Sequence, residues 1–205
     1  MIKRFMVTVA AAASLLTLTG VPQAGAAQTA GEGAQAPITV GGLKLIPAHL
    51  TKSNARAAAA AEDEQAYLLP SGLNPAKCWD AEAASLGSNG TNMLLWDCDT
   101  SKANQAFYIR RIPEGYLRFQ NVANGRYLDA DSNTIGKNGT KVQLWDYIAG
   151  AKNQWWADTV NAEGWERFQS PASSRYLTAE GTAGTNGTRL QLWDFIAGGK
   201  NQWWG

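Results

Sequence analysis

Residues 66–205 predict a closed all-β body made of three repeated units, each of four short strands. Three observations carry that expectation. First, a phrase is written twice, as QLWDYIAGAKNQWW at 143–156 and QLWDFIAGGKNQWW at 191–204, with a looser LLWDCDTSKANQAF at 94–107. Second, the repeat extends well beyond the phrase. Asn89-Gly90-Thr91, Asn138-Gly139-Thr140 and Asn186-Gly187-Thr188 are offset by 49 and then 48 residues, and Trp96, Trp145 and Trp193 keep the same offsets. Third, no unit sustains a helical period, and one unit alone could not bury its apolar face, so three copies must close on one another. Three blades fall short of a propeller, which runs from about four to eight.

The elements follow in order. Lys3 and Arg4, the apolar run FMVTVAAAASLLTL and the small residues Ala24-Gly25-Ala26 give residues 1–26 the form of a secretory signal peptide. Residues 27–65 contain no Phe, Tyr or Trp and include the Ala57–Ala61 run, so they are expected to be a disordered linker or pro-segment. A short extended piece is expected at 38–47, and the folded domain is expected to start near Gln65. The units then run 66–112, 113–161 and 162–205. In the second, YLRFQNV, RYLDA, KVQLWDY and NQWWADT read as the four strands, with Asn-Gly as a tight turn. Asn-Gly-Thr is also a glycosylation acceptor sequence, but its recurrence at one place in every unit favours a structural turn.

Cys78 and Cys98 are the only cysteines. Their counterparts are Tyr127 and Tyr147 in the second unit and Tyr176 and Phe195 in the third. Side chains exchanged as a pair are expected to touch, and in an exported chain that predicts a Cys78–Cys98 disulfide.

Composition removes several function classes. Without Lys3 and Arg4 the chain has 16 basic against 17 acidic residues and no basic stripe, which disfavours nucleic acid and anionic membranes as partners. No run beyond the leader is apolar enough to insert in a bilayer. His49 is the sole histidine and lies in the linker, so no Ser-His-Asp or Cys-His arrangement can be assembled in the domain. No metal-ligand spacing or phosphate loop appears, and no cofactor is expected. Asp80, Asp129, Asp146 and Asp194 recur, but equivalent repeats would set them on different lobes, so the chain is not expected to be an enzyme.

What does recur is a set of groups suited to sugars. In the second unit these are Asp129, Gln143, Trp145, Asn153 and Gln154. Alternation puts Gln143 and Trp145 on one face of a strand and Val142 and Leu144 on the other. A flat indole can take the C–H face of a sugar ring, while carboxylate and amide groups satisfy its hydroxyls. For Gln154 and Trp156 the Gln-x-Trp spacing, repeated at Gln202 and Trp204, fits core packing better than ligand contact.

The Gln-x-Trp triplets, the C-W-D and Y-L-D strands, N-G-T-x-V-Q-L-W-D and the terminal N-Q-W-W resemble the ricin B-type (R-type) lectin family over about 66–205. The resemblance implies a β-trefoil with pseudo-three-fold symmetry and a non-catalytic lectin whose partner is carbohydrate on polysaccharides or glycoconjugates; the leader adds the expectation that it is secreted and extracellular. Matched position by position, it implies a best site at Asp129, Gln143, Trp145, Asn153 and Gln154. A second would use Asp80, Trp96, Asn104 and Gln105, with Leu94 in place of the glutamine. A third would have Gln191, Trp193, Asn201 and Gln202, with Thr178 in place of the aspartate. The alternative is a trefoil that binds or inhibits proteins and keeps the motifs only for folding.

Overall fold

The computed structural model describes residues 38–40, 43–51 and 65–205. The expected leader at 1–26 and the Ala57–Ala61 run lie outside them. The described chain consists of strands joined by turns and short 3-10 segments: β1 (Ile38–Val40), β2 (Leu43–Pro47), β3 (Tyr67–Leu68), β4 (Lys77–Ala81), β5 (Thr91–Asp97), β6 (Phe107–Arg111), β7 (Leu117–Asn121), β8 (Tyr127–Ala130), β9 (Thr140–Trp145), β10 (Ala157–Val160), β11 (Glu166–Gln169), β12 (Tyr176–Ala179) and β13 (Leu190–Trp193).

Three antiparallel hairpins, β4–β5, β8–β9 and β12–β13, sit at equivalent places in the three units. They meet edge to edge: β5 pairs β9 at Asn92 and Gln143, and β9 pairs β13 at Lys141 and Gln191. A bridge between Leu94 and Arg189 returns the ring to its start. The remaining strands form the surrounding wall, with β3 on β6, β6 on β7 and β10 on β11. Trp204 closes it by bridging both Ser71 and Glu166. The architecture is a β-trefoil, and ring closure pairs the hairpin edges of neighbouring units with one another.

The core repeats with the sequence. Ala81, Ala130 and Ala179 are buried at one level; Leu95, Leu144 and Leu192 at another; Phe107, Trp156 and Trp204 at a third. Trp156 and Trp204 are therefore core, and their indole N–H groups donate to the Leu128 and Leu177 carbonyls. The first unit departs from symmetry by exchange of volume. Pro70 stands where the other units have Phe119 and Phe168, and Trp79 stands where they have Leu128 and Leu177. Trp79 fills the centre, edge-on to Phe107, Phe119, Phe168 and Trp204. Close packing requires some such compensation.

The exchanged pairs do touch. Cys78 and Cys98 form a disulfide. Tyr127 and Tyr147 pack with ring centroids 5.5 Å apart, and Tyr176 and Phe195 at 5.7 Å. Each Asn-Gly-Thr is a turn whose glycine (Gly90, Gly139 or Gly187) has positive φ near 85°, a conformation with little cost only for glycine.

Two local expectations need revision. NQWWADT is not strand from its start: Lys152–Gln154 form a 3-10 turn and β10 begins at Ala157. The reason is that the Asn153 and Gln154 side chains must reach back to β8, as described below. The folded body also starts before Gln65. β2 pairs β3 through Ile46–Leu68 and Pro47–Tyr67, and Leu45 is fully buried in the main core. Alternating Leu45, Ile46 and Pro47 carry enough apolar surface to dock without any aromatic residue.

Candidate functional site

Each unit presents the same frame: a carboxylate or hydroxyl on the first hairpin strand, an indole on the second, and amides from the following 3-10 turn. In the second unit Asp129 pairs in register with Gln143 across β8–β9. The Gln143 amide donates to Asp129 Oδ1 at 3.1 Å, and those of Asn153 and Gln154 donate to Oδ2 at 2.8 and 3.1 Å. Asn153 also donates to the Ala130 carbonyl and Gln154 to the Asp146 carbonyl, while Gln154 Oε1 accepts from the Ile148 amide. Gln154 is thus buried and spent on the loop, which makes it a residue that positions Asp129. Asp129 itself is only 2% exposed. Trp145, half-buried, stands beside it on the same strand as Gln143.

The first unit keeps the frame and opens it. Asn104 donates to Asp80 Oδ2 at 3.1 Å and Gln105 to the same oxygen at 2.8 Å. Opposite Asp80 in register is Leu94, which has no amide to offer. Oδ1 is therefore left without a protein donor among the described residues. Asp80 is 8% exposed and Trp96 is 46% exposed. Both line a pocket of about 630 Å³ with Leu94, Asn104 and Gln105. Glu82, Asp99 and Lys102 line it too. Asp99 and Lys102 stand where the second unit has Ile148 and Ala151, so the repeat carries no signal for them, whereas Glu82 has acidic counterparts in Asp131 and Glu180 and is marked by the same offsets.

In the third unit Thr178 pairs with Gln191, and its hydroxyl accepts from Gln202 at 3.0 Å while donating to the Tyr176 carbonyl. Asn201 turns to the Ala179 and Gly181 carbonyls. Glu180 points outward and is exposed, and Trp193 is exposed on the neighbouring strand. The frame survives there, but without a carboxylate at its centre.

Burial sets the electrostatics. It pushes the Asp129 carboxyl up to about 6, against the lowering effect of its amide donors and with a smaller push from the Asp131 charge. Burial also raises Asp80, opposed by Gln105 and Asn104. Among the described residues no cluster of three or more His, Cys, Asp or Glu side chains is arranged to hold a metal ion.

The ricin-type β-trefoil lectin domain-like family model matches residues 59–145 and 103–193. The chain belongs to that family. Solved structures agree with the fold. The designed three-fold symmetric protein ThreeFoil superposes with a TM-score of 0.62 at 25% identity, over 68% of this chain and 95% of that one. An exo-β-1,3-galactanase from Clostridium thermocellum gives 0.62 at 25% identity, over 70% of this chain and 30% of the galactanase. The Polyporus squamosus lectin bound to a human-type influenza-binding epitope gives 0.57 at 17% identity, over 68% of this chain and 47% of the lectin. No curated protein matches the chain in sequence. The lectin-like family supports carbohydrate binding as the general activity of this ricin-type trefoil.

Proposed function

We propose that this ricin-type trefoil is a secreted, non-catalytic lectin that binds glycans at two unequal pockets. The first centres on Asp80 and Trp96 and the second on Asp129 and Trp145. The observation that carries the proposal is the free Oδ1 of Asp80 beside an exposed Trp96 in an open pocket. That oxygen can accept from a sugar hydroxyl while the indole takes the ring's C–H face. In the second pocket a ligand must displace or share the Gln143 amide, which supports ranking the first pocket above it. The Cys78–Cys98 disulfide fits an oxidising, extracellular destination.

Two sites on one rigid body favour polymers, since avidity can gain roughly 10²–10⁴ when geometry allows joint engagement. The test is retention on a panel of immobilised polysaccharides and galactose resins. Asp80→Ala with Trp96→Ala should weaken retention most, Asp129→Ala with Trp145→Ala less, and the combination should abolish it. Folded variants that bind like the wild type would sink the assignment. Sugar release from the same panel would count against a non-catalytic role.

A further inference from the structure

The first unit differs from the other two in what stands behind the loop after its indole. In the second unit the loop after the indole is backed by Tyr127, Tyr147 and Trp155, with the Arg118 guanidinium 4.9 Å from the Tyr147 ring and 5.8 Å from Trp155. In the third it is backed by Tyr176, Phe195 and Trp203, with Arg167 3.8 Å from Trp203 and 4.6 Å from Phe195. The first unit has Cys78, Cys98 and Ala106 at these ring positions, and Leu69 in place of the arginine. Three large rings are replaced by two sulfur atoms and a methyl group. Tyr147 and Phe195 are more than half exposed, so these rings form a cover over the loop, and the first unit has no such cover of its own.

The first unit is covered from outside the repeat. Ile46, Ala48 and Leu50 pack into a cluster with Leu68, Cys78, Ala106, Tyr108 and Val122, and Cys98 and Ala103 border it. The backbone is tied on both sides. The Ala48 amide donates to the Ala66 carbonyl at 2.9 Å, and the His49 amide donates to the Thr100 carbonyl at 2.8 Å. Thr100 lies in the loop that delivers Asp99, Lys102 and Asn104 to the first pocket.

We infer that residues 43–51 are a buttress specific to the first glycan pocket, resting on the proposed function above. They replace the aromatic-arginine stack that the other two units carry within their own sequence. The loop 98–105 is also tied at its two ends, by the disulfide, the Cys98 amide on the Ala76 carbonyl, the Asn121 side chain on the Asn104 carbonyl and the Gln105 amide. Without the buttress its middle, around Thr100, loses its tie to His49, and the loop samples positions in which Asn104 no longer braces Asp80. Apparent affinity then falls by the fraction of molecules that keep the competent loop. The second pocket, backed by its own rings, is unaffected.

The experiment uses the full chain with two readouts. Ile46→Ser with Leu50→Ser empties the buttress, and Ile46→Val with Leu50→Met retains it. Each pair is placed in a first-pocket protein (Trp145→Ala, Trp193→Ala) and in a second-pocket protein (Trp96→Ala, Trp193→Ala). Polysaccharide binding should weaken about tenfold for the serine pair in the first-pocket protein only, the loss expected if one molecule in ten keeps a competent loop. Amide exchange at Asp99, Lys102 and Gln105 should accelerate in the serine pair and not in the conservative one. Unchanged exchange at these amides overturns the buttress, whatever the glycan result. Equal weakening in both proteins also overturns it, since the loss would then be global. If the first-pocket protein binds no glycan even with the buttress intact, the functional assignment of that pocket fails, while exchange still decides the role of 43–51.

Discussion

Asn89 of the first unit and Asp146 of the second hold each other through two hydrogen bonds. Asn89 Nδ2 donates to Asp146 Oδ2 at 2.8 Å, and the Asp146 amide donates to Asn89 Oδ1 at 2.9 Å. Arg126 joins them, with Nε 2.8 Å from Asn89 Oδ1 and 3.0 Å from Asp146 Oδ1. Asn138 and Asp194, with Arg175, repeat the clasp between the second and third units. Asn186, Asp97 and Lys77 return it to the first. The aspartate after each indole is thus an inter-unit fastener, and the asparagine of each Asn-Gly-Thr uses its amide to meet it. Asn89→Ala should lower stability by about 1–2 kcal/mol, the worth of a few partly exposed charge-assisted bonds. Denaturant unfolding reads this directly, and an unchanged midpoint would show that the clasp is ornamental.

Glu166 stands where the other units have Leu68 and Leu117. It is almost fully buried, with Oε2 lacking a hydrogen-bond partner. Burial and the nearby Asp158 charge push its carboxyl up to about 7, despite Arg111. The neutral form is therefore favoured by folding. The stabilising contribution is complete below the unfolded value near 4.5 and is lost as pH rises through about 7. Asp129, raised to about 6, acts in the same direction. Melting temperature should fall between pH 5 and pH 8. Glu166→Leu should raise stability at pH 8 by about 1–3 kcal/mol, the usual cost of a buried unsatisfied polar group. A variant less stable than wild type at pH 8 would refute this account.

Asp129 also predicts a pH dependence of binding. Below about 6 its carboxyl is protonated, so one oxygen ceases to accept. Binding by the second-pocket protein should weaken as pH falls from 7 to 5. Asp129→Asn should bind less at neutral pH and show no such trend. Titration calorimetry across that range is the check, and a flat profile for the unmodified pocket would contradict it.

Cys78 and Cys98 close a loop with a sequence separation of 20. In the chain-entropy model a link of that size contributes roughly 3 kcal/mol. Replacing both by alanine should lower the unfolding free energy by about that amount. Because Ile46, Ala48 and Leu50 pack against this cluster, the double Cys→Tyr exchange should not restore stability. A stable double-tyrosine variant would mean that the first unit has room for both.

Much of this was legible from one chain. The 49- and 48-residue offsets mark three equivalent units, and the coupled exchange of Cys78 and Cys98 for aromatic pairs marks a contact that the disulfide makes. Local patterning also set Gln143 and Trp145 against Val142 and Leu144. Residues 43–51 were not legible as part of the fold. Their partners Leu68, Ala106 and Tyr108 are distant in sequence, and composition records the lack of aromatic residues without recording the apolar surface that Ile46, Ala48 and Leu50 cover.

The sequence by itself determined the repeat, the strand alternation that sets Val142 and Leu144 against Gln143 and Trp145, and the carboxylate, amide and indole groups carried at equivalent places. Those are properties of order and period along the chain. Only the tertiary structure decided how available each group is. Asp129 matches the family pattern most fully, yet Gln143 caps its Oδ1 and burial raises its pKa. Asp80 matches less well, yet Leu94 leaves its Oδ1 open to a pocket. The physical reason is that a hydrogen-bond acceptor serves a ligand only where the fold has not already satisfied it, and satisfaction depends on neighbours across strands and turns.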